Sequence, residues 1–354
     1  MDIKELLTIT ITRKASDLHL VVSRVPVLRI NGELHPLVTL PIMSRDDIES
    51  MIYSLLNPTQ KELLFANKEL DFSISLTFED KQARFRVNSY YQMGSLASSF
   101  RLIPSKIKTI DELGLPSLFH EFAKIHQGFI LITGPSGQGK STSLSSIIEE
   151  INKTKNVHII TIEDPIEYVY SRGKAIVSQR EMYQDTHSWN NALRNSLRED
   201  PDVVFIGEMR DYETISSALT IAETGHLVFS TLHTNSAAQS LDRIIDIFPA
   251  VSQDQVRLQL SMVISAIITQ RLVPSISGSR VPVCEILLGS SSIRNVIREG
   301  KTHLIDNIIQ TSKDLGMMTF EDHLKQRVEQ NIISPETALE YAFRPERYTQ
   351  LMKG

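Results

Sequence analysis

The chain has 354 residues, more than one typical domain, and its 41% hydrophobic and 22% charged residues suffice for two soluble cores. A formal charge of −5 argues against general nucleic-acid binding, and the single cysteine, Cys284, excludes an intrachain disulfide and a cysteine-cluster zinc site. No apolar run approaches the ~18 residues that cross a bilayer, and Met1-Asp2-Ile3-Lys4-Glu5 lacks a signal-peptide pattern; the expectation is a soluble cytoplasmic protein.

In chain order, residues 1 to about 103 read as a small α/β domain. Segments 17–22 and 25–30 are apolar enough for two strands, followed by a hairpin turn at Asn31-Gly32. Ser44-Arg45-Asp46-Asp47 carries a capping-box pattern and predicts a helix through Leu56, stopped by Asn57-Pro58. Residues 71–78 and 82–91 alternate as paired strands, with Glu79-Asp80-Lys81 turning between them. The polar, proline-bracketed stretch 104–116 predicts an interdomain linker. From 117 to 354, apolar β-prone runs at 129–133, 157–162, 203–206 and 227–231 alternate with helical stretches, the signature of a mainly parallel, helix-covered sheet. Cys284, in an apolar run, is expected in the core. The C-terminal end reads as helical, with starts at Thr319/Asp322 and Ser334-Pro335.

Chemistry concentrates after the strand at 129–133. Gly134-Pro135-Ser136-Gly137-Gln138-Gly139-Lys140-Ser141 fulfils the G-x-x-x-x-G-K-[ST] pattern of a phosphate-binding loop, with Thr142 next in line. Glycines let backbone N–H groups turn toward phosphates, Lys140 can place its ammonium on them, and Ser141 offers a hydroxyl to Mg²⁺. The run 143–152 keeps Leu144, Ile147, Ile148 and Ile151 on one helical face, so strand, loop and helix N-terminus form an anion site. Hydrolysis needs carboxylates as well, and two apolar runs end in them at Glu163 and Glu208. In a parallel sheet those strand ends share an edge with the loop.

His226 and His233 flank the run 227–232; seven residues apart, they face opposite ways on a simple strand, and the spacing leaves open which of them reaches a γ-phosphate. Arg84 and Arg86 share a strand face and Arg101 lies in the same domain; by themselves they read as a solvated sheet face. A guanidinium lent by a neighbouring subunit would, however, stabilise charge on a transferring phosphoryl group.

Taken together, ASDLHL at 15–20, RFRVN at 84–88, FRLIPSKI at 100–107 and the phosphate loop resemble the type IV pilus retraction ATPases of twitching motility, in the secretion ATPase superfamily. The resemblance continues through TIEDPIEY at 161–168, LREDPDVVFIGEMRD at 197–211, TGHLVFSTLHTNSA at 224–237 and SIRNVIREGKTH at 292–303, and so covers nearly the whole chain. It implies a PAS-like N-terminal domain joined to a RecA-like ATPase domain, a homo-hexameric ring, ATP with Mg²⁺, and work at the cytoplasmic face of the inner membrane. The partners it implies are an inner-membrane platform protein and an accessory retraction ATPase. Carried over by position, Glu163 is the water-activating carboxylate and Glu208 the acid acting through the metal beside Ser141. His226 and His233 become nucleotide-state sensors, and Arg84, Arg86 and Arg101 point at a neighbour's nucleotide. One cysteine and no longer N-terminal extension favour retraction over assembly or type II secretion motors, and the segment Ile293–Glu299 matches a retraction-associated motif, with Ser292 and Val296 replacing its Ala and Leu. An assembly or secretion ATPase, or a nucleotide-gated accessory subunit, stands as the alternative.

Overall fold

The computed structural model describes residues 2–78, 81–103 and 106–353. Glu79 and Asp80 of the expected turn, and Pro104 and Ser105 of the expected linker, lie outside the described residues. The chain divides into two units, Met1–Lys106 with Pro165–Val169, and Ile107–Asp164 with Tyr170–Gly354.

The first unit runs α1 (Ile3–Thr12), β1 (Asp17–Leu20), β2 (Val27–Ile30), β3 (Glu33–Pro36), α2 (Arg45–Leu55), α3 (Pro58–Asn67), β4 (Glu69–Phe78), β5 (Lys81–Gln92) and β6 (Ser95–Ile103). Its strands form an antiparallel sheet in the order β3-β2-β1-β6-β5-β4. Asn31 and Gly32 both take positive φ, 51° and 89°, which fits the tight turn that puts Ile30 opposite Glu33. Leu18, Leu28, Phe72, Phe85, Val87 and Phe100 fill one side of this sheet, packed with Ile3, Leu6 and Leu7 of α1.

Helix α1 is absent from the sequence reading, for a local reason: Thr8-Ile9-Thr10-Ile11-Thr12 alternates like a strand. Two things override that pattern. Asp2 and Glu5 close a capping box, and Ile3, Leu6, Leu7 and Thr10 are buried, while the threonine hydroxyls at 8, 10 and 12 are satisfied by donating to carbonyls four residues earlier, at 2.8, 2.8 and 2.9 Å. Asn57-Pro58, expected only as a stop, also starts α3: Asn57 caps it by accepting from the Gln60 N–H at 2.9 Å.

The second unit continues with α4 (Leu118–Lys124), β7 (Gly128–Thr133), α5 (Lys140–Thr154), β8 (His158–Glu163), β9 (Ile176–Glu181), α6 (Trp189–Ser196), β10 (Val203–Ile206) and α7 (Tyr212–Glu223). Then come β11 (Leu227–Leu232), α8 (Ala237–Asp246), α9 (Ala250–Val263), β12 (Ile264–Pro274), β13 (Arg280–Leu288) and α10 (Ser291–Arg298). Four more helices close the unit: α11 (Ile305–Thr311), α12 (Phe320–Glu329), α13 (Pro335–Tyr341) and α14 (Pro345–Lys353).

Its sheet has the order β13-β12-β7-β11-β10-β8-β9; every neighbouring pair is parallel except β12 with the edge strand β13. Strands β7, β10 and β11 are buried at every residue, as a sheet covered by helices on both faces requires. Hence the near-continuous Val, Ile, Leu and Phe runs by which the sequence revealed them. The fold is the mixed α/β arrangement expected, with an N-terminal sheet unit and a mostly parallel second sheet.

The stretch expected as a linker carries buried apolar residues from 107 on. Ile107, Ile110 and Leu115 are buried, and the Gly114 carbonyl accepts from the Arg327 guanidinium within the same unit. Three apolar residues at irregular spacing gave no periodicity to detect. Cys284 is fully buried, as expected of a small core residue. Helix α10 is anchored in the core: Ile293 and Ile297 are buried, and Arg294 Nε donates to the Gly289 carbonyl at 2.9 Å.

Glu285 on β13 is an ionisable group sealed in this sheet, accepting the Ala237 N–H at 2.8 Å. Burial, with Asp306 and Glu321 nearby, pushes its carboxyl up to about 7. The folded state therefore binds a proton more tightly than the unfolded chain, and the stability this gives is lost as pH rises from ~4.5 through 7. Glu285→Gln is expected to leave Tm unchanged near pH 4.5 and to raise it by several degrees at pH 8, on the order of the cost of ionising the buried acid. Thermal unfolding across that range checks it; a pH-independent difference would sink the assignment.

Candidate functional site

Gly134 leaves β7 with φ 140°, Gly137 and Gly139 take φ 74° and 76°, and Gly139 caps α5. A Cβ on Gly134 would lie 2.3 Å from the Gln270 carbonyl oxygen, so this position needs glycine for space as well as for its dihedral angle. The loop ends at the N-terminus of a 15-residue helix, whose first amides have no partner inside the helix and whose dipole favours an anion.

Lys140 is buried, and its ammonium donates to the carbonyls of Gly134 and Pro135 at 2.8 and 2.9 Å. It stands 3.5 Å from His233 Nδ1. His233 Nε2 in turn lies 3.8 Å from Glu208 Oε2, while Arg210 pairs with the other oxygen of Glu208 at 2.7 Å. Since an ammonium can only donate, Nδ1 of His233 is the acceptor, and the ring proton sits on Nε2, toward Glu208. Desolvation first, then the charge on Lys140, holds the His233 pKa below its ordinary 6.5 against the opposing pull of Glu208. His233 is thus neutral at neutral pH.

Strand order brings the acids to this edge. Strands β8, β10, β11 and β7 pair in register, so Glu163 ends β8, Glu208 follows β10 after Gly207, and His233 follows β11. The Gly207 N–H donates to the Ile162 carbonyl at 2.8 Å, and the Thr231 hydroxyl to the Gly207 carbonyl at 2.6 Å. Glu163 is buried, with Oε1 accepting from the Thr161 hydroxyl at 2.7 Å and from Gln179 Nε2 at 3.4 Å. Gln179 is held in turn, its Oε1 accepting the Tyr170 N–H at 3.0 Å.

His226 is not brought to this edge. It precedes β11, its carbonyl accepts the Gly128 N–H at 3.0 Å, and its Nδ1 faces Thr224 Oγ1 and the Ile221 carbonyl, both at 3.0 Å. A strand lies between it and His233, roughly 20 Å at ~3.3 Å per residue. Of the two histidines left open by spacing, the sheet brings His233 and not His226 beside the phosphate loop.

Arg84, Arg86 and Arg101 belong to the first unit and share the polar face of its sheet. Arg86 sits directly opposite Arg101 in the β5–β6 ladder, with Arg84 two residues along. Like charges facing across a ladder repel, and nearby aspartates offset this: Arg101 Nε bonds Asp17 Oδ1 at 2.9 Å and Arg86 Nη2 stands 3.9 Å from Asp71. Arg84 Nη2 reaches the Ser73 hydroxyl at 2.5 Å. The Arg101 side chain is 70% exposed while that of Asp17 is 6% exposed, and Asp17 also accepts the Ser16 hydroxyl at 2.8 Å and stands 4.0 Å from Arg29 Nε.

The donors fit a magnesium nucleotide. Ser141 and Glu208 carry hard oxygen atoms of the kind Mg²⁺ takes, while among the described residues no group of three or more His, Cys, Asp or Glu could hold a metal alone. Mg²⁺ characteristically takes one or two protein oxygens and completes its shell with substrate phosphates and water.

With this geometry in view, comparison with known proteins is decisive. The family described as type II/IV secretion system protein matches residues 1–330. The chain belongs to this family. It is 44% identical, over 98% of its own length and 100% of the relative's, to the type IV pilus retraction ATPase PilT of Pseudomonas aeruginosa. It is 45% identical to a twitching motility protein of Neisseria gonorrhoeae over 88% of this chain and 83% of that one. Among solved structures, a pilus retraction motor PilT with bound ADP matches with a TM-score of 0.90 and 43% identity, covering 99% of both chains.

Sequence reasoning missed Thr161 and Gln179, which grip Glu163, and Gln270, which grips the phosphate loop. Thr161 was detectable, since two residues from Glu163 on a strand puts it on the same face; the glutamines arrive from other strands. The His233 electrostatics give a test. Its ring titration, followed by NMR, is expected below 6.5, moving up in Lys140→Ala and further down in Glu208→Gln. The opposite signs would show that the triad is assembled differently.

Proposed function

We infer that this chain is a motor ATPase that hydrolyses ATP to power retraction of type IV pili, working as a homo-hexameric ring at the cytoplasmic face of the inner membrane. The observation that carries this is the full-length match to a retraction ATPase in a chain whose strand order gathers Lys140, Glu208, His233 and Glu163 on one sheet edge. The platform protein of the inner membrane is the proposed load, and a related pilus ATPase the proposed accessory partner.

In this reading the amides of Gly137, Gly139 and Lys140 hold the phosphates, with Pro135, Ser136, Gln138 and Thr142 shaping the loop around them. ATP draws the Lys140 ammonium from the loop carbonyls onto its β/γ-phosphates. Ser141 and Glu208 would hold Mg²⁺, which when bound neutralises charge on the β- and γ-phosphates. Glu163, oriented by Thr161 and Gln179, accepts the proton of the attacking water, worth typically ~10²–10⁴ in rate. Neutral His233, its Nε2 proton able to turn from Glu208 toward a γ-phosphate, distinguishes ATP from ADP. His226 has no such path within its own subunit. Arg101, with Arg84 and Arg86, reaches a neighbour's γ-phosphate, so hydrolysis waits for the ring to close. The segment around 104–116 is the proposed hinge between the moving domains.

Purified protein is expected to release phosphate from ATP only with Mg²⁺, and Lys140→Ala to abolish this. Glu163→Gln is expected to cut turnover about 10²–10⁴-fold while keeping ADP affinity. Arg101→Ala and Lys140→Ala subunits, each inactive alone, should regain part of the activity when mixed in one ring; no recovery would exclude catalysis across subunits. A deletion strain is expected to be hyperpiliated and unable to twitch, and bald cells would assign the chain to pilus assembly instead.

A further inference from the structure

β12 runs on past the point where β7 stops. The two strands pair as far as Thr133 and Thr269, whose hydroxyls hydrogen-bond at 3.0 Å. Beyond them β7 becomes the phosphate loop, while β12 continues to Pro274 with β13 as its partner. The next residue of β12, Gln270, is fully buried against the loop. Its Nε2 donates to the Gln138 carbonyl at 2.7 Å, and its Oε1 accepts from the Ser143 hydroxyl of α5 at 2.8 Å. Two residues along, the Leu272 N–H donates to the Gln138 side-chain oxygen at 2.7 Å. Both the main chain and the side chain of Gln138 are thus tied to β12.

The amide orientation of Gln270 follows from its partners. A carbonyl only accepts, so the NH₂ must face Gln138, and Oε1 is left for the Ser143 hydroxyl. A planar trans peptide points its C=O and N–H in opposite directions. Drawing the Gln138 carbonyl toward β12 therefore turns the Gly139 N–H away from β12. Gly139 also lacks the side chain that would crowd this contact, since a Cβ there would stand 3.1 Å from Gln270 Nε2.

We propose that Gln270 is a positioning residue for the nucleotide: by holding the Gln138 peptide it aims the Gly139 N–H at the phosphates, and it links their arrival to β12. The inference rests on the loop being the nucleotide site. It deepens that reading by naming a group outside the loop motif that sets the loop's donor geometry.

The test measures Mg-ADP affinity by calorimetry, and KM and kcat for ATP, with full-length protein. It compares the parent, Gln270→Met, Gln270→Glu and Lys140→Ala. Methionine keeps the shape and removes both hydrogen bonds; glutamate keeps the acceptor for Ser143 and removes the donor to Gln138. Both are expected to weaken ADP binding and raise KM about tenfold, with a smaller change in kcat. If Gln270 only packs, Gln270→Met lowers the Tm of nucleotide-free protein at most and leaves ADP affinity within twofold of the parent, which overturns the proposal. A parent that fails to bind ADP, or Lys140→Ala binding as tightly as the parent, removes the nucleotide-site reading and the proposal with it. Should the variants not fold, hydrogen exchange of residues 270–274 in the parent decides: slower exchange with ADP supports the link, and unchanged exchange overturns it.

Discussion

A parallel sheet buried on both faces sends all its strands out at one edge, and there the chain must leave the apolar interior and begin to bear charge. Here that edge belongs to β7, β11, β10 and β8 in succession. The residues just beyond them are the glycine loop with Lys140, then His233, Glu208 and Glu163. No two of these groups are neighbours in sequence, apart from those within the loop. They meet because hydrophobic burial fixes the register of the strands, and one residue of slip would turn each side chain to the other face. The chemistry therefore depends on the packing of Phe129, Val204, Val228 and their neighbours in one core.

The electrostatics of the edge favour a waiting state. Lys140 rests on the carbonyls of its own loop, His233 is kept neutral beside it, and Glu208 is shared between His233 and Arg210. Each is satisfied by a modest interaction that a triphosphate can outcompete, so the site need not carry an unpaired buried charge between turnovers. Glu163 is held more firmly, by a hydroxyl and an amide that keep its oxygen oriented.

The arginine row of the first unit follows another principle. Its guanidinium groups crowd one polar sheet face, and the buried Asp17 and the exposed Asp71 temper their repulsion. Such a surface has little to gain by staying as it is and much to gain from a highly charged anion.

Several features were legible along the chain because their physics is local. The glycine loop needs positive φ in consecutive positions, buried parallel strands need unbroken apolar runs, and Ser44, Thr319 and Ser334 each cap the helix that follows them. Helix α1 was hidden by a strand-like alternation that capping and burial overrule, and the packing of residues 107–116 left no periodicity. What tertiary structure alone decided concerns pairs distant in sequence. It brought His233 to Lys140, set Arg86 across from Arg101, and brought Gln270 to the phosphate loop over more than a hundred residues. Sequence determines which chemical groups are present and which short-range conformations they prefer. Which of them share an edge is decided by strand order, and strand order is settled by the burial of the whole sheet at once.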